Sequence, residues 1–140
     1  SSLSSFLYIV KVFLGLAITI TDLQERNQYG PLTGMKKSDA KTMHPDFVEQ
    51  VKDRMNTLPG AESYTAASAR MAKAYADVVE QTRVCSAVVW HGGGMRALFR
   101  EILKMGELTE VGDCCWVELK REVPSAPFVI QQTKRMTLGF

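Results

Sequence analysis

Histidine is almost missing from this sequence: His44 and His91 are the only two among 140 residues. Neither stands at a recognisable ligand spacing from the other or from a cysteine, so no metal site and no cofactor are expected. Cysteine is sparse as well. There are three, an odd number, and Cys114 and Cys115 are adjacent, which fits neither a disulfide framework nor a CxxC pair. Reduced thiols and a cytoplasmic compartment are the expectation. Excess charge is lacking too: the formal net charge is +2 with no basic tail, which argues against nucleic acid or an anionic membrane surface as a partner. No apolar run is long enough for a span, because residues 6–20 carry Lys11 and fall short of the roughly 20 residues a bilayer requires. A buried helix over residues 6–14, stopped at Gly15, and a strand over 16–20 are predicted there. With no repeat and no low-complexity linker, a single domain over residues 1–140 is expected.

What is present is an alternation of helix and strand signals. Residues 36–42 suggest a short helix, and Pro45 opens another in which Phe47, Val48, Val51 and Met55 recur at helical spacing. The chain breaks between Leu58 and Gly60. Ser63 then caps a long helix with Tyr64, Ala67, Met71, Ala74, Tyr75, Val78 and Val79 on its apolar face and Lys73, Asp77 and Glu80 turned away. Residues 84–90 are β-branched and almost continuously apolar, as in a strand covered on both faces. Residues 95–104 form a second amphipathic helix, ended by Gly106. Strands over 114–119 and 128–132 enclose a polar loop. The pattern predicts an α/β fold with a sheet of mixed direction.

Chemistry concentrates in two places. VVWHGGGMRALFREIL, residues 88–103, sets His91 at a strand end and follows it with Gly92, Gly93 and Gly94 before a helix. A side chain at the carboxyl end of such a strand faces the crevice where open α/β sheets bind ligands. Glycine backbone and a helix start favour an anion such as phosphate, although the same residues also describe a plain strand-to-helix turn with a hydrogen-bonded histidine. The second place is the loop LQERNQYGPLTGMKK, residues 23–37. Glu25 beside an anion would suit general acid–base work, and Arg26 and Lys37 would suit phosphate or carboxylate oxygens.

LQERNQYGPLTG, then GAESY at residues 60–64, then VVWHGGGMRAL resemble, in order and spacing, three motifs of the histidine phosphatase superfamily, phosphoglycerate mutase-like branch. The resemblance implies a three-layer α/β sandwich with a mixed central sheet flanked by helices. It also implies phosphoryl transfer or hydrolysis on small phosphate esters through a phosphohistidine, with a small phosphorylated metabolite as the partner molecule. By the same resemblance His91 stabilises the transferring phosphoryl group and Glu25 is the general acid and base. Arg26, Tyr29 and Lys37, with Gly92 and Gly93, contact the substrate.

In that family the attacking histidine belongs to an Arg-His-Gly motif on the first central strand, and this sequence contains no Arg-His-Gly. The first central strand is therefore expected to be missing from this chain, leaving the domain amino-terminally incomplete and the chain alone inactive. A missing amino-terminal segment or a second copy in a homo-oligomer is expected to cover the exposed sheet edge. A shortened, noncatalytic relative that binds a phosphate-bearing ligand or a protein partner is the alternative.

Overall fold

A computed structural model describes residues 18–139. The helix expected over 6–14 and the first residues of the strand expected over 16–20 lie outside them, and residues 18–20 are not in a strand. The chain divides into two compact units, one ending at His91 and one beginning at Gly92.

The first unit is helical. Short 3-10 turns at Thr21–Leu23 and Gly30–Leu32 are followed by α1 (Lys37–Met43), α2 (Pro45–Gln50) and α3 (Tyr64–Gln81). Pro45 occupies the first turn of α2, where its missing N–H costs nothing. Leu32, Ala40 and Leu58 are the buried centre on which Met35, Phe47, Val48, Val51 and Ala61 pack. The Gly30 turn fits here closely: its φ is +44°, and a Cβ would lie 2.7 Å from the Pro59 carbonyl oxygen.

Helix α3 forms where its cap and apolar period both predict it. The Ser63 hydroxyl accepts from the Ala66 N–H at 3.1 Å, satisfying one of the donors orphaned at a helix start. Ala67, Met71 and Ala74 are its buried residues, spaced to fall on one face. At its end Thr82 turns back, its N–H and hydroxyl both donating to the Val78 carbonyl.

Residues 84–90 are not a strand. Val84, Val88 and Val89 are exposed, and the segment joins no hydrogen-bonded ladder among the described residues. β-Branched side chains suit a pleated surface, but a strand exists only through its neighbour's N–H and C=O groups.

The second unit begins with α4 (Gly92–Ala97), which widens into a π turn over Leu98–Ile102. The glycines expected to form a turn ahead of the helix instead make its first turn. The π turn is closed by Leu103 N–H donating to the Leu98 carbonyl, and it buries Leu98 and Phe99. Arg96 donates to the Leu108 carbonyl and Arg100 forks onto Glu107, tying this turn to the first strand of a hairpin. The hairpin is antiparallel, β1 (Glu107–Lys120) with β2 (Val129–Gly139), and both strands outrun the expected limits. Between the Val111–Met136 and Trp116–Lys134 pairs the register slips, and Cys114 and Arg135 there adopt positive φ. Among the described residues, then, the α/β character consists of helices and one two-stranded antiparallel sheet.

Candidate active site

The loop from Leu23 to Tyr29 has little regular structure of its own, so side chains from α3 and from the segment before His91 hold it. The Leu23 carbonyl accepts two hydrogen bonds, from Trp90 Nε1 at 2.7 Å and from His91 Nε2 at 3.1 Å. A carbonyl only accepts, so the His91 proton in this contact is on Nε2. Trp90 stacks on Tyr75 of α3 with centroids 6.4 Å apart and meets the His91 ring edge-on at 6.1 Å. His91 is thereby fixed by a hydrogen bond and an aromatic edge, with no strand beneath it among the described residues.

Two guanidinium groups secure the backbone on either side of Glu25. Arg70, from α3, places Nε and NH2 on the two Glu62 oxygens at 2.9 and 2.8 Å. Its NH1 donates to the carbonyls of Asp22 and Gln24 at 2.7 and 3.0 Å. Arg26 reaches the carbonyls of Glu62 (2.8 Å), Arg54 (2.7 Å) and Asn56 (3.1 Å). Glu62 N–H in turn donates to the Asn27 carbonyl. Residues 22–27 are thus clamped at 22, 24, 26 and 27, while the Glu25 side chain is exposed and has no polar partner among the described residues.

The electrostatics follow this geometry. The hydrogen bonds from Arg70 hold the Glu62 carboxyl below its usual range, and the same bonds raise the Arg70 guanidinium above its own. Arg26 is lowered, chiefly by burial, with Glu62 and Tyr64 opposing that trend. Both Arg26 and Arg54 lie over the Tyr64 ring, 5.8 and 5.4 Å from its centroid.

Glu25, Arg26 and His91 therefore share one hydrogen-bonded framework in the first unit, linked through Leu23, Gln24 and Glu62. Tyr29, just before the Gly30 turn, and Lys37, at the start of α1, are exposed, and among the described residues neither side chain bonds to that framework. Gly92 and Gly93 are exposed at the start of α4, in the second unit. Arg70 is not singled out in the sequence, and Glu62 stands in it only as part of GAESY, with no role assigned. The usable signal was spacing: a glutamate just ahead of the Ser63 cap and an arginine about two turns into the helix. No group of three His, Cys, Asp or Glu side chains among the described residues is placed to hold a metal ion. No helix among them is long and apolar enough to cross a membrane.

A protein-family model, that of the histidine phosphatase superfamily (branch 1), matches residues 9–124, well over half of the chain. No curated protein and no solved structure matches it significantly.

Proposed function

The chain belongs to the histidine phosphatase superfamily, branch 1, and from that premise we propose that it carries the acid–base and phosphoryl-stabilising half of a phosphoglycerate mutase-like site. The reaction is hydrolysis of small phosphate esters in preference to mutase transfer, through a phosphohistidine. Its attacking histidine comes from outside these 140 residues, since neither His44 nor His91 stands in an Arg-His-Gly motif, and the chain alone is inactive. The strand bearing that histidine completes the three-layer sandwich and pairs with the apolar segment 84–90.

In the first half-reaction the attacking nitrogen bonds to phosphorus, the ester P–O bond breaks, and Glu25 in its acid form protonates the leaving oxygen. In the second half-reaction Glu25 as carboxylate takes a proton from water, whose oxygen attacks phosphorus as the P–N bond breaks. His91 stabilises charge on the equatorial oxygens, and Gly92 and Gly93 allow those oxygens to approach the backbone. Arg26 holds the Glu25 loop and has further N–H donors for a ligand, while Tyr29 and Lys37 contact the rest of the substrate. The observation that carries this reading is the Leu23 carbonyl shared by Trp90 and His91, because it ties the proposed phosphoryl-stabilising residue to the loop that presents Glu25.

The test is turnover of p-nitrophenyl phosphate and 3-phosphoglycerate by the chain alone and by the chain joined to an upstream segment bearing an Arg-His-Gly strand. The chain alone is expected at the blank rate. The joined protein is expected to turn over and to form an acid-labile phosphoprotein, and His91→Ala or Glu25→Gln should each lower kcat by about 10²-fold or more. Undiminished activity in both variants overturns the assignment. The missing Arg-His-Gly also favours a second reading, a noncatalytic relative that binds a phosphate-bearing ligand. Calorimetric binding of 3-phosphoglycerate with no turnover by either form selects it.

A further inference from the structure

The carbonyls of Asp22 and Gln24 converge on a single nitrogen, Arg70 NH1, while the carbonyl between them, that of Leu23, is directed at Trp90 and His91. The direction of the Leu23 carbonyl is thus set from both sides by an arginine on α3 that touches neither Glu25 nor His91 in any of these bonds. Arg70 is oriented for this by the two-pronged contact of Nε and NH2 with Glu62, which leaves NH1 pointing at the loop. A guanidinium does this through its rigid planar fork, whereas a lysine ammonium has one nitrogen and cannot reach a carboxylate and two carbonyls in this geometry.

We propose that Arg70, oriented by Glu62, is a positioning residue that acts through the Asp22–Gln24 backbone to hold the His91 imidazole and the Glu25 loop in register. Its catalytic significance rests on the phosphoryl-transfer reading above. The hydrogen-bond clamp itself does not. Arg26 secures the other side of Glu25 through bonds to Glu62, Arg54 and Asn56, so Glu62 joins the two clamps, its carboxylate serving Arg70 and its carbonyl serving Arg26.

The experiment measures exchange of two side-chain protons, His91 Nε2–H and Trp90 Nε1–H, by ¹⁵N NMR of the full chain, against the backbone amides of Met71 and Ala74 in α3. In Arg70→Lys both side-chain protons should exchange about tenfold faster or more, because both use the one carbonyl that the arginine orients. The Met71 and Ala74 amides should move less. Equal acceleration of those amides, or unchanged side-chain protons in a folded variant, overturns the proposal. Glu62→Gln, which keeps Arg70 and weakens its anchoring, is the milder second variant and should show a smaller change in the same direction. The exchanged pair Glu62→Arg with Arg70→Glu restores opposite charges but puts an acceptor where the loop carbonyls need a donor, so it should not restore protection. Full restoration would show that only the ion pair matters. In the joined protein with the upstream strand, Arg70→Lys should lower kcat about tenfold with KM within about twofold. Loosened protons with unchanged kcat overturn the positioning role, whereas an inactive joined wild type overturns the phosphoryl-transfer reading and leaves the clamp standing.

Discussion

Removing the Arg26 guanidinium should cost more than its partly solvated position suggests. Its three bonds reach carbonyls 28 to 36 residues away in sequence, so one side chain joins the Glu25 loop, the turn after α2 and the start of α3. The part-buried bond to the Glu62 carbonyl is charge-assisted, and a bond of that kind contributes about 1.5–2 kcal/mol. The carbonyls of Arg54 and Asn56 are exposed and water takes over when the donor is lost, so they contribute about 0.5 kcal/mol each. Arg26→Ala is therefore expected to destabilise the chain by about 2.5–3 kcal/mol. For a chain of this length that corresponds to a fall in Tm of about 10 °C. Arg26→Lys keeps the charge and one nitrogen, and should recover less than half of the loss. Urea unfolding followed by helical circular dichroism measures both, with the m-value showing whether the same surface unfolds. The exposed Lys73–Asp77 pair, 3.7 Å apart, is the control, because breaking it should cost little. A loss below about 0.5 kcal/mol for Arg26→Ala would refute the reasoning, since it would mean water satisfies all three carbonyls as well as the guanidinium does.

Glu62, held below its usual range by Arg70, contributes stability that is fully present above its unfolded value of about 4.3 and is lost as pH falls through the lower native value. Glu62→Gln should therefore flatten the acid limb of the stability–pH curve below about pH 4.3, and an unchanged limb would disprove the coupling. Gly30→Ala places a methyl against the Pro59 carbonyl in a left-handed backbone, and should cost about 1–3 kcal/mol by the same urea measurement. Phe99 is 0% exposed, so Phe99→Ala should cost about 3–5 kcal/mol, read from amide exchange across the β1–β2 hairpin.

The helices were legible because their signals are local. Ser63 announces its own cap, and Ala67, Met71 and Ala74 carry the period of the face they bury. The hairpin was legible in kind but not in extent. The irregular stretch between Val111 and Trp116 interrupts the two-residue alternation by which a strand is recognised, so β1 read as starting at Cys114 instead of Glu107. Glu25, His91 and Arg26 came from motif resemblance, which gave Arg26 a substrate contact; Arg70 and the acceptors that the two arginines meet could not. Arg26 and Arg70 bond mostly to backbone carbonyls, those of residues 22, 24, 54, 56 and 62, and a carbonyl is the same in every residue. Sequence can nominate the donor; only the fold can show which acceptors it meets.

The segment before His91 reveals the converse limit. Val84, Val88 and Val89 have the side chains of a buried strand, yet they are exposed and join no ladder among the described residues. Side-chain preference in a strand measures its fit to neighbours on a pleated surface, and hydrogen bonding in a parallel sheet comes entirely from segments distant in sequence. Among the described residues the end of this segment is held not by pairing but by ring N–H groups: Trp90 and His91 are both bonded to the Leu23 carbonyl, and Trp90 also stacks on Tyr75. The position of His91 consequently depends on the loop and on α3, not on strand pairing among the described residues. For this reason the backbone around Leu23, and the arginine that orients it, should govern the histidine more directly than any substitution among the three valines.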